Sequence, residues 1–183
     1  MAGLFYKGNV FGIVPARTSY VIANSATITK GGFVKFSDAN FAAAVTAGDR
    51  ISFFAEDFLV TDPQSGGEHP VAEAENSQYD GTYTAGGEGV GSYVATSDNQ
   101  TDKKVRVRGF WVSEGDRFAS VPDATLGTTT GSDSAGYYTD LANAYTVDED
   151  TAATTAAQLS IHGIDPLDST RAIYSVAERQ TTR

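Results

Sequence analysis

The chain contains no cysteine. Disulfide staples, thiolate zinc sites, iron–sulfur clusters and cysteine nucleophiles are excluded together. Histidine is almost as scarce: His69 and His162 are the only two, and they stand far apart. Neither an H-E-x-x-H pair nor a D-x-[DN]-x-[DN]-G loop occurs, so no standard zinc or calcium motif is present. Positive charge is short as well, 13 Lys and Arg against 23 Asp and Glu, which gives a formal net charge of −10. Such a chain repels phosphate backbones at long range, so direct nucleic-acid binding is not expected. The same charge favours solubility and keeps copies apart. No apolar run approaches the ~18 residues that mark a membrane span. The N-terminal stretch "MAGLFYKGNVFGIVPARTSYVIANS" is broken by Lys7, Gly8, Asn9, Pro15 and Arg17, and does not read as a secretory signal. A phosphate loop is missing: "GGEGVG" has neither a lysine nor a following helix, so no cofactor is expected.

What is present points to β structure. The 183 residues suit one domain, residues 1–183, able to bury a core without staples. Nine tyrosines and ten phenylalanines argue against continuous disorder. Thr, Val, Tyr and Phe fit pleated, half-buried surfaces. "ATITKGGFVKF" alternates, turns at Gly31-Gly32 and resumes with Val34 and Phe36 on one side. Gly48-Asp49 separates two apolar runs; Ala42 to Ala44 have the composition of a short helix, but the run is too brief to nucleate one alone. "KKVRVRGFWV" reads as a strand with Val105, Val107 and Trp111 on one face and Arg106 and Arg108 on the other. "TAGDRI" and "SEGDRF" read as two tight turns rather than a binding loop used twice, because Gly supplies positive φ and Asp bonds nearby backbone. Short strands recur to "RAIYSVAE". The expected fold is all-β, a small barrel or sandwich, with residues 1–25 as an extended N-terminal arm and residues 62–92 as a long Gly-rich loop insertion.

The densest set of chemically capable groups is "SIHGIDPLDSTRAIYSV", where His162, Asp165, Asp168, Ser169 and Arg171 lie close together. A Ser169–His162–Asp165 triad is formally available, but no nucleophile elbow accompanies it. Asp165 and Asp168 are formally a glycosidase pair. "DPLD" with proline at its second position is a β-turn, which makes the segment a corner between two strands. "VDEDT" (Asp148, Glu149, Asp150) and "SDNQTD" (Asp98, Asn99, Asp102) offer oxygens to a hard cation, yet read as solvated turns. No pair of titratable groups has divided roles, so no enzyme is expected. Lys103, Lys104, Arg106 and Arg108 are the sharpest charge contrast. They form either a docking patch for an acidic neighbour or a guarded strand face. The arm aromatics Phe5, Tyr6, Phe11 and Tyr20 need a covering surface, in this chain or in a neighbour. These eight residues are the candidate interface.

"TSDNQTDKKVRVRGFWVSEGDRF", followed by "GYYTDLANAYTVDEDTAATTAAQLSIHGIDPLDSTRAIYSVAE", resembles small structural proteins of tailed-bacteriophage virions. "KGGFVKF" and "AGDRI" fit the same class. The likeness covers roughly residues 26–60 and 95–179 and is most specific in the last twenty of these. It implies a capsid decoration (cement) protein: β-rich, a homotrimer, bound to the major capsid protein on the capsid exterior after synthesis in the host bacterial cytoplasm, and without catalytic residues. The alternatives are another virion structural protein (neck, tail tube or receptor-binding appendage) or a sugar-binding β-sandwich module, the latter suggested by the tyrosines.

Overall fold

A computed structural model describes residues 4–37, 39–46, 48–61, 66–70, 81–84, 91–95, 97–102, 105–121, 138–144, 146–148 and 158–177. They form strands β1 (Phe5–Asn9), β2 (Arg17–Val21), β3 (Thr27–Thr29), β4 (Phe33–Phe36), β5 (Ala42–Ala44), β6 (Phe53–Thr61), β7 (Glu68–Pro70), β8 (Gly81–Thr84) and β9 (Ser92–Ala95). A one-turn helix, α1 (Asn99–Asp102), precedes β10 (Val105–Trp111), β11 (Asp116–Ser120), β12 (Tyr138–Asn143), β13 (Thr146–Asp148), β14 (Leu159–Asp165) and β15 (Asp168–Val176). The described residues are thus all-β, as composition and alternation predict.

Three antiparallel sheets pack in layers. The first runs β1-β11-β15-β14-β12-β13, the second β2-β10-β6-β4-β5 with β7 also on β6, and the third β3-β9-β8. The second sheet lies in the middle, because its two faces enter two separate cores. Phe54 and Phe110 join Phe118, Leu141, Leu159, Ile161 and Tyr174 of the first sheet. Phe53, Ala55, Phe58, Val60, Val105 and Val107 face Ile28, Tyr93 and Ala95 of the third. The parity of β6 switches between Ala55 and Phe58, and a register shift opposite Arg108/Gly109 accounts for it. One extra residue returns the apolar set to the same face, which is what a bulge does. Gly109 is required there: a Cβ would lie 1.8 Å from the Phe54 carbonyl oxygen.

Several expectations are met. Gly31 takes φ 71°, the Gly32 N–H bonds the Thr29 carbonyl at 3.1 Å, and the turn separates β3 from β4. Val105 and Val107 share the face on which Trp111 meets Tyr20, Phe36 and Phe53. Asp165 pairs with Asp168 across Pro166-Leu167, with the Leu167 N–H bonded to Asp165 Oδ1 at 2.9 Å.

Others are settled or corrected. Ala42–Ala44, too brief a run to nucleate a helix alone, is a strand, because Phe36, Lys35 and Val34 offer it a ladder. The N-terminal segment is extended as expected, and of the two coverings left open for it this chain supplies the one for β1 and β2. β1 pairs with β11 in the first sheet, β2 pairs with β10 in the second, and Leu4 is buried in the core. Within 62–92, β7 and β8 are strands where no periodicity was visible. Pairing partners supplied by β6 and β9 hold them, and three- or four-residue strands are too short to show a period. Residues 62–65, 71–80 and 85–90 of that segment lie outside the described residues.

Candidate interaction surface

The Ser160–Val176 cluster does not converge. His162 Nε2 lies 2.8 Å from Ser175 Oγ rather than beside Ser169 or Asp165. Burial and then the Arg117 charge hold the His162 pKa below its ordinary value. The Asp165 side chain is 1% exposed and reaches Lys7 Nζ at 2.8 Å. That bond, with the Leu167 N–H, lowers its pKa. Asp168 accepts from the Thr170 hydroxyl at 2.6 Å and N–H at 3.0 Å, and from Arg171 Nε at 3.0 Å, and its pKa is lowered too. A glycosidase acid must be held protonated, which requires a raised pKa. Neither aspartate has one. Ser169 is exposed. The segment is a strand, a turn and a strand: Asp165 and Asp168 bond the backbone of the turn, while His162 bonds Ser175 across the hairpin.

Of the candidate cation ligands, Asn99 is buried and already satisfied. Its Nδ2 donates to the carbonyls of Ile22 (2.7 Å) and Val105 (3.0 Å), and its Oδ1 accepts from the Val105 N–H (2.9 Å). It rivets α1 to β10 and to the end of β2. The Asp98 carbonyl accepts from the N–H groups of Thr101 and Asp102 at 2.9 Å each. The Asp148 side chain, Glu149 and Asp150 lie outside the described residues. Among the described residues no three His, Asp or Glu gather.

The two basic candidates among the described residues, Arg106 and Arg108, are engaged in ion pairs, as are their neighbours Lys30 and Arg17. Arg108 meets Asp57 at 3.1 Å, Arg106 meets Glu68 at 3.3 Å, Lys30 meets Asp57 at 2.9 Å and Arg17 meets Glu56 at 2.9 Å. β10 lies beside β2 and β6, and β7 beside β6, so the arginine face is threaded with carboxylates. Each pair is partly exposed and contributes about 0–1 kcal/mol. Lys103 and Lys104 lie outside the described residues.

The four aromatics of the N-terminal segment separate into two groups. Tyr6 packs on Phe110 and Phe118, ring centroids 4.7 and 5.7 Å away, and its hydroxyl donates to Asp116 Oδ1 at 3.1 Å. Tyr20 packs on Phe36 at 4.6 Å, and its hydroxyl accepts from Trp111 Nε1 at 3.1 Å. Phe5 is about a third exposed, with the Arg171 guanidinium over its ring at 4.3 Å. Phe11 is 66% exposed. It lies on the crossover between β1 and β2 together with Val10 (57%), Ile13 (54%) and Val14 (81%). The Val10 N–H bonds the Gly115 carbonyl at 2.9 Å and the Phe11 N–H bonds Asn9 Oδ1 at 2.9 Å, so the start of this strip is fixed in place.

A groove continues from the strip. Lys7 to Val10 form one wall, Asp165, Pro166 and Leu167 the other, with Arg117 and Ile173 between them; its volume is about 290 Å³. β1 and β14 are three strand spacings apart, about 14 Å across a flat sheet. A lysine does not reach that far, yet Lys7 touches Asp165. The β14–β15 hairpin therefore curls towards β1, and register shifts at Ile161/Gly163 and Ile164/Asp165 permit the bend.

Three buried polar residues carry long-range connections that composition did not flag: Asn99, Gln158 and Asp116. Gln158 Nε2 donates to the carbonyls of Thr46 (3.0 Å) and Asp49 (2.7 Å), and its Oε1 accepts from the Leu141 N–H (3.1 Å). The available signal was a lone amide at the mouth of an apolar strand, as in "AAQLSI". Comparisons with protein-family models, curated proteins and solved structures find no match to this chain. No helix among the described residues is long and apolar enough to cross a membrane.

Proposed function

We propose that this chain is a structural protein of a tailed-bacteriophage virion that decorates the capsid and stabilises it by binding the outer surface of the major capsid protein lattice as a homotrimer. The observation that carries the reading is the apolar crossover: Val10, Phe11, Ile13 and Val14 stand more than half exposed in a chain of net charge −10. A contiguous exposed apolar strip marks a contact surface. Its two ends enter different sheets, through β1 and β2, so an interface formed there clamps both layers. The likeness of the C-terminal segment to virion proteins gives the kind of partner. Repetition on a lattice turns modest single contacts into durable attachment.

Mass spectrometry of washed particles is the test. The chain is expected in fixed stoichiometry with the major capsid protein, and a Phe11→Asp, Val14→Asp double variant is expected to leave the particle while remaining folded. Absence of the wild-type chain from particles overturns the reading. A particle map that places it at the neck or tail overturns the capsid assignment.

A further inference from the structure

We infer that the groove between β1 and the β14–β15 hairpin tip recognises an acidic partner segment, seating one large apolar side chain against Val10, Leu167 and Ile173 while Arg117 meets an adjacent carboxylate. This goes beyond placement on a virion, because it concerns only the chemistry that the groove accepts.

A volume of about 290 Å³ sits at the lower limit of small-molecule sites. It suits an inserted side chain better than a cofactor. The apolar walls are open, Val10 at 57% and Leu167 at 86% exposed. Charge selects the sign of the partner. Two cations and one carboxylate line the groove, and the carboxylate, Asp165, is taken by Lys7 at 2.8 Å. Among the described residues, Arg117 makes one hydrogen bond, from Nη1 to the Asp116 carbonyl at 3.3 Å. A guanidinium has five N–H donors, and a carboxylate takes two of them in a parallel fork. Inside a strongly acidic chain this spare cation attracts an acidic segment and rejects a basic one. Strand addition to β1 is disfavoured, because Lys7 and the bulge between Tyr6 and Gly8 guard that edge. Docking by side chain remains.

Fluorescence anisotropy on the isolated full chain tests this with three labelled peptides: Gly-Ser-Glu-Phe-Asp-Ser-Gly, its Phe→Ala twin, and a twin with lysines in place of both acids. The acidic Phe peptide is expected to bind, and each twin to bind about tenfold more weakly or worse, a difference of about 1.4 kcal/mol. Arg117→Glu is expected to invert the preference between acidic and basic peptides. Leu167→Asp, at an exposed turn tip that leaves the core alone, is expected to abolish binding with an unchanged melting temperature. Equal binding of acidic and basic peptides, no binding at millimolar concentration, or an unchanged preference in Arg117→Glu overturns the inference. So does sedimentation showing that a second copy fills the groove, with an oligomer that Leu167→Asp dissociates. Absence from virions strikes the proposed function and leaves this result untouched.

Discussion

Two turns in this chain are spelled almost alike, Thr46-Ala47-Gly48-Asp49 and Ser113-Glu114-Gly115-Asp116, each followed by arginine. Their local bonds agree. The Asp49 N–H meets the Thr46 carbonyl at 3.0 Å, and the Thr46 N–H meets Asp49 Oδ2 at 2.8 Å. The second turn repeats this with Asp116 and Ser113 at 3.2 and 2.7 Å. Gly48 and Gly115 take φ of 80° and 86°. Their surroundings differ. The Asp49 side chain is 28% exposed and pairs with Lys35. Asp116 is 1% exposed and also holds the Tyr6 hydroxyl and Asn9 Nδ2 of β1, at 3.1 and 2.8 Å. One motif therefore builds a surface corner in one place and the buried anchor of the N-terminal strand in the other. Local chemistry sets the shape of a turn; what packs upon it sets the cost of losing it.

The largest expected contrast comes from deleting the two carboxylates. Asp116→Ala removes a buried acceptor from the partly buried Tyr6 hydroxyl, Asn9 amide and Ser113 N–H and is expected to lower unfolding free energy by about 3 kcal/mol, against about 1 kcal/mol for Asp49→Ala. Urea titration measures both. Equal losses break the comparison and assign the two turns one role.

A smaller contrast lies in the glycines. An alanine at either site adopts the left-handed region at a cost of about 1 kcal/mol. At Gly48 nothing lies within 4 Å of the added Cβ, whereas at Gly115 the Phe11 ring is 2.7 Å away. Gly115→Ala is expected to cost about 2 kcal/mol and to displace Phe11, which a thermal melt and the proton spectrum of its ring report.

The subtlest contrast is in pH. Burial, then the Asp116 charge and hydrogen bond, raise the Tyr6 pKa from 10.0 to about 12. Between those values the folded chain keeps a proton that the unfolded chain has lost. The stability is whole below pH 10 and drains as pH rises towards 12. Burial alone would raise Asp49, but its bonds to Lys35 and Thr46 outweigh that and lower it. Its contribution is present above the ordinary 3.8 and is lost as pH falls below that value. Denaturation across pH is expected to show the alkaline loss vanish in Tyr6→Phe and the acid loss shrink in Asp49→Asn. An alkaline loss that persists in Tyr6→Phe removes Asp116 and its tyrosine from the account.

The legible parts of the fold were those with a short-range signature. β4 and β10 announce themselves by alternation, and the Gly31-Gly32, Gly48-Asp49 and Asp165-Pro166 corners by turn chemistry. Three alanines left helix and strand open, because so short a run nucleates no helix alone and β4 decides the matter by offering a ladder. The candidate surface was half legible. Apolar residues near the start of the chain point to a contact. Nothing local distinguishes Tyr6 and Tyr20, which this chain covers, from Phe11, which it leaves exposed. Arg106 and Arg108 look free in the sequence because the carboxylates that meet them, Glu68 and Asp57, arrive on other strands.

By itself, the order of residues determined the β class, the acidic surface, the absence of thiol chemistry and the places where the chain reverses. Each follows from composition or from backbone preferences spanning a few residues. Tertiary structure alone decided that the N-terminal segment divides between two sheets, that Lys7 closes on Asp165, and that one of two like turns becomes an anchor. Those outcomes rest on burial and pairing between strands distant in the chain, and the strength of such contacts depends on which faces are covered.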